Sequence, residues 1–263
     1  MKIVSVAIQK GGAGKTTTTL NLGAALLDAG KKCLLIDLDP QASLSQSLGI
    51  HDEPEPNIYH LLKREASGIK AEEWTKDPPE NAILERSGLD IVPASLELAS
   101  AELELVGVYG REHILLQMLQ RLQRPYDFVL IDCPPSIGML TVNALVASNY
   151  LLMPLTPEYL SLKGANSFLR HLELIRCLND KLTMLGFVLT KYDARKSMTG
   201  EVEAQLKHDY GMDKVFETHI RNSIALAKAQ QAGIDIFSFD KRSNGAMDYR
   251  ALAREFLSKT GEP

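Results

Sequence analysis

The chain has 263 residues, 45% of them hydrophobic, enough to bury the core of one large α/β domain. A net charge of −4 excludes a polycation that binds nucleic acid through bulk charge alone. Charge is unevenly spread, however: residues 181–263 hold 13 basic against 11 acidic side chains, leaving 16 against 22 for residues 1–180. That asymmetry favours an anionic partner for the C-terminal third. Cys33, Cys133 and Cys177 show no C-x-x-C spacing, which predicts reduced thiols in a cytosolic protein. Met1-Lys2 runs directly into a strand without a signal peptide, and no apolar run approaches the ~20 residues of a membrane span.

In chain order, the apolar run Ile3 to Ile8 predicts a first strand, and the helix-period run Thr18 to Ala29 a first helix. Between them lies Gln9-Lys10-Gly11-Gly12-Ala13-Gly14-Lys15-Thr16-Thr17. Strand, glycine loop, helix is the setting of a phosphate-binding loop. Successive N–H groups form an anion nest, and the helix adds its unsatisfied donors and positive dipole end. Lys15 would reach the β/γ-phosphates and the Thr16 hydroxyl would ligate Mg²⁺. The usual pattern has glycine where this chain has Gln9. A dinucleotide fingerprint needs a small residue where Thr17 stands and has no use for Lys-Thr. Nucleoside triphosphate binding is the expectation.

Residues Lys10 to Thr17 resemble the deviant Walker A box, K-G-G-x-G-K-T-T, of the ParA/MinD family of dimerising ATPases. The resemblance implies a P-loop NTPase fold: a single doubly wound, mostly parallel sheet with helices on both faces, spanning residues 1–263 as one domain. It implies ATP and Mg²⁺ as cofactors, with Gly11, Gly12, Ala13, Gly14, Lys15, Thr16 and Thr17 around the nucleotide. It also implies a homodimer in which Lys10 crosses to the partner's phosphates.

Lys32 to Asp37 predicts a second strand, ending in Asp37-Leu38-Asp39-Pro40-Gln41. This is similar to the family's switch I, where the second aspartate, here Asp39, positions the attacking water. Asp37 stays undecided between a functional and a strand-ending role. Residues 50–88 are expected as a surface excursion with one short helix, Ile58 to Glu65, and Trp74 as a packing anchor. Leu89 to Pro93 predicts a strand, and Leu96 to Val106 and Glu112 to Leu122 predict helices. Glu97, Glu102 and Glu104 are expected on a solvated helix face.

Tyr126 to Asp132 predicts an apolar strand ending in the Walker B carboxylate, Asp132, a magnesium ligand opposite Thr16. Cys133-Pro134-Pro135-Ser136 resembles switch II. The nitrogenase iron protein has a similar nucleotide box and bridges an iron–sulfur cluster with cysteines near this place, which needs two suitably placed cysteines per subunit. A buried structural thiol is the expectation for Cys133. Then come a helix from Met139 to Ala147, a strand from Tyr150 to Leu155, a helix from Leu160 to Leu178 and a strand from Leu185 to Thr190. Pro157 to Gly164 resembles the family's P-E-Y-L-x-L-x-G. Thr190-Lys191-Tyr192-Asp193 mimics the N-K-x-D box of GTPases, but its first residue is threonine and it carries no inference of guanine. A strand from Lys214 to Ile220, a helix from Ser223 to Ala232, a strand near Ile236-Phe237 and a helix from Ala246 to Ser258 complete the prediction. Asp240 to Glu255 resembles the family's closing D-x-x-S-x-G-A-x-x-Y-x-x-L-A-x-E.

Short ParA proteins contact DNA phosphates from two segments, a D-A-R and an I-P-R-N, which Asp193-Ala194-Arg195 and Ile220-Arg221-Asn222 resemble. The implied DNA-binding residues are Arg195, Arg221 and Lys196, with Lys207 in support. The missing proline leaves Arg221 open to a place nearer the adenine. The C-terminal stretch has too few basic residues for a membrane-surface anchor of the MinD type. The resemblance therefore implies a cytoplasmic, nucleoid-associated ATPase. It would bind DNA nonspecifically with ATP and be released when a ParB-like or other cargo-adaptor protein stimulates hydrolysis, driving plasmid or chromosome partition. The alternatives are a nucleoid-tracking ATPase that positions a protein organelle or signalling cluster, a MinD-like membrane regulator, and an iron–sulfur carrier or reductase.

Overall fold

The computed structural model describes residues 1–262. Among them, β1 (Lys2–Val6), β2 (Cys33–Asp37), β3 (Leu84–Arg86), β4 (Leu89–Val92), β5 (Phe128–Asp132), β6 (Tyr150–Leu155) and β7 (Thr183–Leu189) form one sheet. Its order is β3-β4-β2-β5-β1-β6-β7. Every neighbouring pair is parallel except β3 with β4. That hairpin turns on Ser87 (φ 52°) and Gly88 (φ 77°), and two successive left-handed residues match the twist of an antiparallel pair.

Apart from the exposed edge strand β3, the sheet is buried on both faces, so its strands are mainly apolar, and the two-residue period sorts side chains between two cores. Ile3, Leu34, Ile36, Val129 and Ile131 point to one core, which the helices Ile58–Ala66, Met139–Ala147 and Tyr159–Arg176 help to close. Val4, Val6, Leu35, Phe128 and Leu130 point to the other. There α1 (Lys15–Asp28) packs Leu20 and Leu26 with Leu252 and Phe256 of the last helix, Asn244–Lys259. The Ser243 hydroxyl accepts from Ala246 N at 3.2 Å and caps that last helix. No helix among the described residues is long and apolar enough to cross a membrane.

Residues 50–88 are more than a surface excursion. They supply Ile58, Leu61, Leu62 and Trp74 to the first core. Trp74 lies under the guanidiniums of Arg64 (4.2 Å to the ring centre) and Arg121 (5.5 Å). Arg121 in turn pairs with the buried Glu65 carboxylate at 2.6 and 2.7 Å. Two expected strands are absent among the described residues. Residues 215–220 touch β7 at only two points, Phe216 N to Phe187 O (2.9 Å) and Ile220 N to Leu189 O (2.8 Å). The intervening donors, Glu217 N and Thr218 N, go to the Glu255 carboxylate at 2.9 Å each, which interrupts the ladder. Residues Ile236–Asp240 are helical because the Asp235 carboxylate caps Phe237 N (2.7 Å) and Ser238 N (3.0 Å). The helix Ser197–Tyr210 has no counterpart in the sequence reading.

The three glutamates expected on a solvated face also divide. Glu97 and Glu104 are exposed as expected, Glu104 also accepting from the Tyr59 hydroxyl at 3.1 Å, but Glu102 is half-buried and accepts from the backbone of Met139 and Leu140.

Candidate phosphate-binding site

Register brings the chemistry together. Asp132 at the carboxyl end of β5 lies beside Val6 of β1 on one side and Asp37 of β2 on the other. The glycine loop, the Asp37–Gln41 turn and Asp132 therefore share the carboxyl edge of the sheet, where open α/β sheets bind ligands. Gly12 (φ 70°) and Gly14 (φ 89°) take left-handed conformations that residues with a Cβ rarely adopt. The Thr190 hydroxyl, at the end of β7, donates to Ala13 O at 2.8 Å and braces the loop from outside.

A cavity of about 770 Å³ opens over the loop, lined by Gly12, Lys15, Thr16, Asp39 and Lys191 among others. Lys15 is only 7% exposed and folds its ammonium back toward Lys10 O, 3.3 Å away. The Thr16 hydroxyl donates to Asp132 Oδ2 at 2.7 Å. Asp132 Oδ1 is buried and has no hydrogen-bond partner. Burial, and next the Asp37 carboxylate, raise the Asp132 pKa well above the usual carboxylate range. A buried, unpaired carboxylate oxygen beside a hydroxyl is a donor set that suits a hard divalent cation such as Mg²⁺.

Asp39 turns its Oδ1 to Gln41 N at 2.9 Å while its side chain borders the cavity. Asp37 has a different task. Fully buried, it accepts from Ser45 N (2.8 Å) and Ser45 Oγ (2.7 Å), and Ser45 Oγ accepts from Ala94 N (3.0 Å). Burial pushes its pKa up to about 6. Asp37 thus fastens the start of helix Ser43–Ser47 to the ends of β2 and β4. Asp37→Ala should orphan the buried Ser45 donors and destabilise the nucleotide-free chain by ~1–3 kcal/mol. An unchanged urea midpoint would remove the clamp.

Lys10 leaves the loop in another direction. Its ammonium donates to Thr156 Oγ1 (3.1 Å), Glu158 Oε2 (2.6 Å) and Ser161 Oγ (2.6 Å), beyond the end of β6. The Lys10 contact holds the Glu158 carboxyl below its usual pKa. The two lysines of one loop therefore diverge: Lys15 over the loop itself, Lys10 toward the neighbouring strand end.

Two of the residues implied for DNA, Arg195 and Arg221, line a second cavity of about 580 Å³. Tyr192 N bonds Ile220 O at 3.0 Å, so the two segments lie side by side despite their separation in sequence. Arg195 is 89% exposed in its side chain and pairs with Asp193 at 2.9 Å. Lys196 is exposed beside it, whereas Lys207 is paired with Glu203 at 2.6 Å. Arg221 is held by Asp248 through Nη2 (2.6 Å) and Nε (3.0 Å). It also borders a slot of about 140 Å³ shared with Gly14, Thr17 and Tyr249. Arg221 thus stands between the loop and the second cavity. The sequence reading gave no role to Thr190 or Lys191, although the unusual T-K-Y-D was a visible signal. Cys33 and Cys133 are fully buried, and burial raises both thiols far above their usual range. Neither can present a thiolate to a surface cluster.

A family model described as an AAA domain matches residues 1–184. The sporulation initiation inhibitor protein Soj of Bacillus subtilis is 40% identical over 256 residues, covering 97% of this chain and 97% of its own. The chromosome partitioning protein ParA of Caulobacter vibrioides is 37% identical over 263 residues, 98% and 95% of the two chains. Among solved structures, cobyrinic acid a,c-diamide synthase from Mycobacterium smegmatis with bound ATP analogue and magnesium is similar at a TM-score of 0.83. It is 33% identical over 100% of this chain and 97% of its own.

Proposed function

We propose a function from one premise: this chain belongs to the Soj/ParA family of chromosome-partitioning P-loop ATPases. It binds ATP and Mg²⁺ at the glycine loop, pairs with a second copy, binds DNA without sequence preference and lets go after hydrolysis. The observation that carries the reading is the contact of Thr16 with Asp132, whose other carboxylate oxygen is buried and unpaired beside the loop. Thr16 and Asp132 would hold magnesium, which would supply charge neutralisation for the β- and γ-phosphates. The backbone N–H groups of Gly12 to Thr16 cradle the phosphates, Lys15 swings from Lys10 O to meet them, and Asp39 orients the attacking water. The structure solved with an ATP analogue and magnesium on a similar chain supports this choice of ligands. A ParB-like or other cargo-adaptor protein stimulates hydrolysis, separates the dimer and releases DNA, so the protein works on the nucleoid in the cytoplasm.

Lys10 tests the dimer. It points away from its own cavity, as a residue serving the opposite subunit would. Asp39→Ala should bind ATP but turn it over at least about 10²-fold more slowly, the lower range for losing a positioned base. On that background, Lys10→Ala should retain ATP and remain monomeric in light scattering, while the Asp39→Ala parent dimerises. A Lys10→Ala variant that dimerises like its parent makes Lys10 a surface residue held by Glu158.

A further inference from the structure

The helix Met139–Ala147 begins without a cap of its own. Gly138 stands at its N-cap in extended conformation (φ −108°, ψ −171°), the geometry in which serine or aspartate would serve, and offers no side chain. The donors of the first turn go instead to another helix, Leu98–Glu104. Glu102 Oε2 accepts from Met139 N at 2.6 Å and Oε1 from Leu140 N at 3.2 Å. Both carboxylate oxygens are engaged, and the negative charge sits at the positive end of the helix dipole. A Cβ placed on Gly138 would collide with this carboxylate, so the local and the distant cap exclude each other.

The capped turn also anchors the loop that follows β5. At its start, Cys133 N bonds Val6 O at 3.3 Å. Toward its end, Thr141 of the capped turn donates from Oγ1 to Ser136 O at 2.6 Å. Between these anchors, Pro135 lines the 770 Å³ cavity. The loop's position over the phosphates therefore depends on where the first turn of helix Met139–Ala147 is held.

We propose that Glu102 is a positioning residue for hydrolysis: it caps this helix from outside and so fixes the loop Cys133–Gly138 over the reacting phosphate. The proposal rests on the ATPase reading above. Glu102 does not line the cavity over the glycine loop, so its loss should appear in kcat and not in nucleotide affinity. Glu102→Ala should lower kcat about 10- to 100-fold, the effect of a small misplacement. It should leave the Kd of a non-hydrolysable ATP analogue within about twofold of wild type, since P-loop contacts are intact. Truncating Glu102 removes the three atoms nearest a Cβ at Gly138, so Gly138→Ser on that background can supply a local cap. The double variant should recover kcat to within about threefold, because a serine N-cap replaces most of what the distant carboxylate gave. Glu102→Gln keeps the shape and one acceptor, and should fall between wild type and alanine. It carries the test if Glu102→Ala does not fold. Wild-type kcat in Glu102→Ala or, failing that variant, in Glu102→Gln overturns the proposal. So does a double variant that melts like wild type yet stays slow. Absence of ATP turnover in the wild type overturns the ATPase reading and this inference together, whereas normal wild-type turnover with an unaffected variant overturns the inference alone.

Discussion

Replacing Lys15 with alanine is expected to weaken binding of Mg²⁺–ATP by about 30-fold to 4,000-fold, the equivalent of ~2–5 kcal/mol for truncating one member of a buried charge pair. The size follows from what Lys15 does without nucleotide. It is nearly buried, and its one side-chain hydrogen bond among the described residues is to Lys10 O at 3.3 Å. An ammonium so poorly matched in the protein is poised for an anion. Without it, the β- and γ-phosphates of a single subunit would lose the one ammonium that rises from the glycine loop itself. The same sparse bonding means that the variant should fold normally, so a fluorescent ATP analogue can be titrated against matched samples. Equal affinity in the two proteins would take Lys15 out of the site.

The second large effect joins nucleotide to DNA. One subunit carries a small basic patch at the second cavity, and two of its arginines are already paired with Asp193 and Asp248. Such a monomer can neutralise few phosphates. Clamping two subunits makes the second DNA contact intramolecular, which raises avidity by about 10²–10⁴ without new chemistry. DNA affinity with ATP should therefore exceed that with ADP by about that factor and fall steeply with salt. Arg195 is the cleaner test, since its exposed pair with Asp193 contributes little to stability. Arg195→Glu should weaken DNA binding, lower the salt slope by about two per dimer (one phosphate per subunit) and spare dimerisation. Arg221→Glu would press a carboxylate against Asp248, so part of its effect would come through folding. Fluorescence anisotropy on unrelated duplexes in ATP and ADP reads all of this. Equal affinity in both nucleotides, or binding indifferent to salt, would sink the DNA reading.

The parallel core of the sheet was legible because buried strands are short apolar runs, and the four that end in the loop, Asp37, Asp132 and Leu155 each run into a recognisable motif. What escaped the sequence depends on partners far along the chain. The run 214–220 has the composition of a strand, yet Glu255 takes the donors of Glu217 and Thr218 that a ladder would use. Helix Ser197–Tyr210 buries only Thr199, Val202 and Leu206, too thin a stripe to stand out as a period. The helix at Ile236 does carry a local signal, because Asp235 ahead of it is a capping residue. At the site, the loop, Asp39 and Asp132 stand out as local patterns. Thr190 bracing Ala13 follows from β7 running beside β6, and the shared cavity of Arg195 and Arg221 from residues 215–220 running beside β7, and neither could be read from spacing.

The burial of two of the three thiols has a practical use. Maleimides react with the thiolate, and Cys33 and Cys133 are shut inside the two cores with their thiols held protonated. Cys177 alone lies exposed, just past the helix Tyr159–Arg176. The unaltered chain can thus be tagged with a single dye per subunit. Mixing donor- and acceptor-tagged batches would follow pairing and separation by energy transfer in real time, with no cysteine removed and no residue of the phosphate site touched.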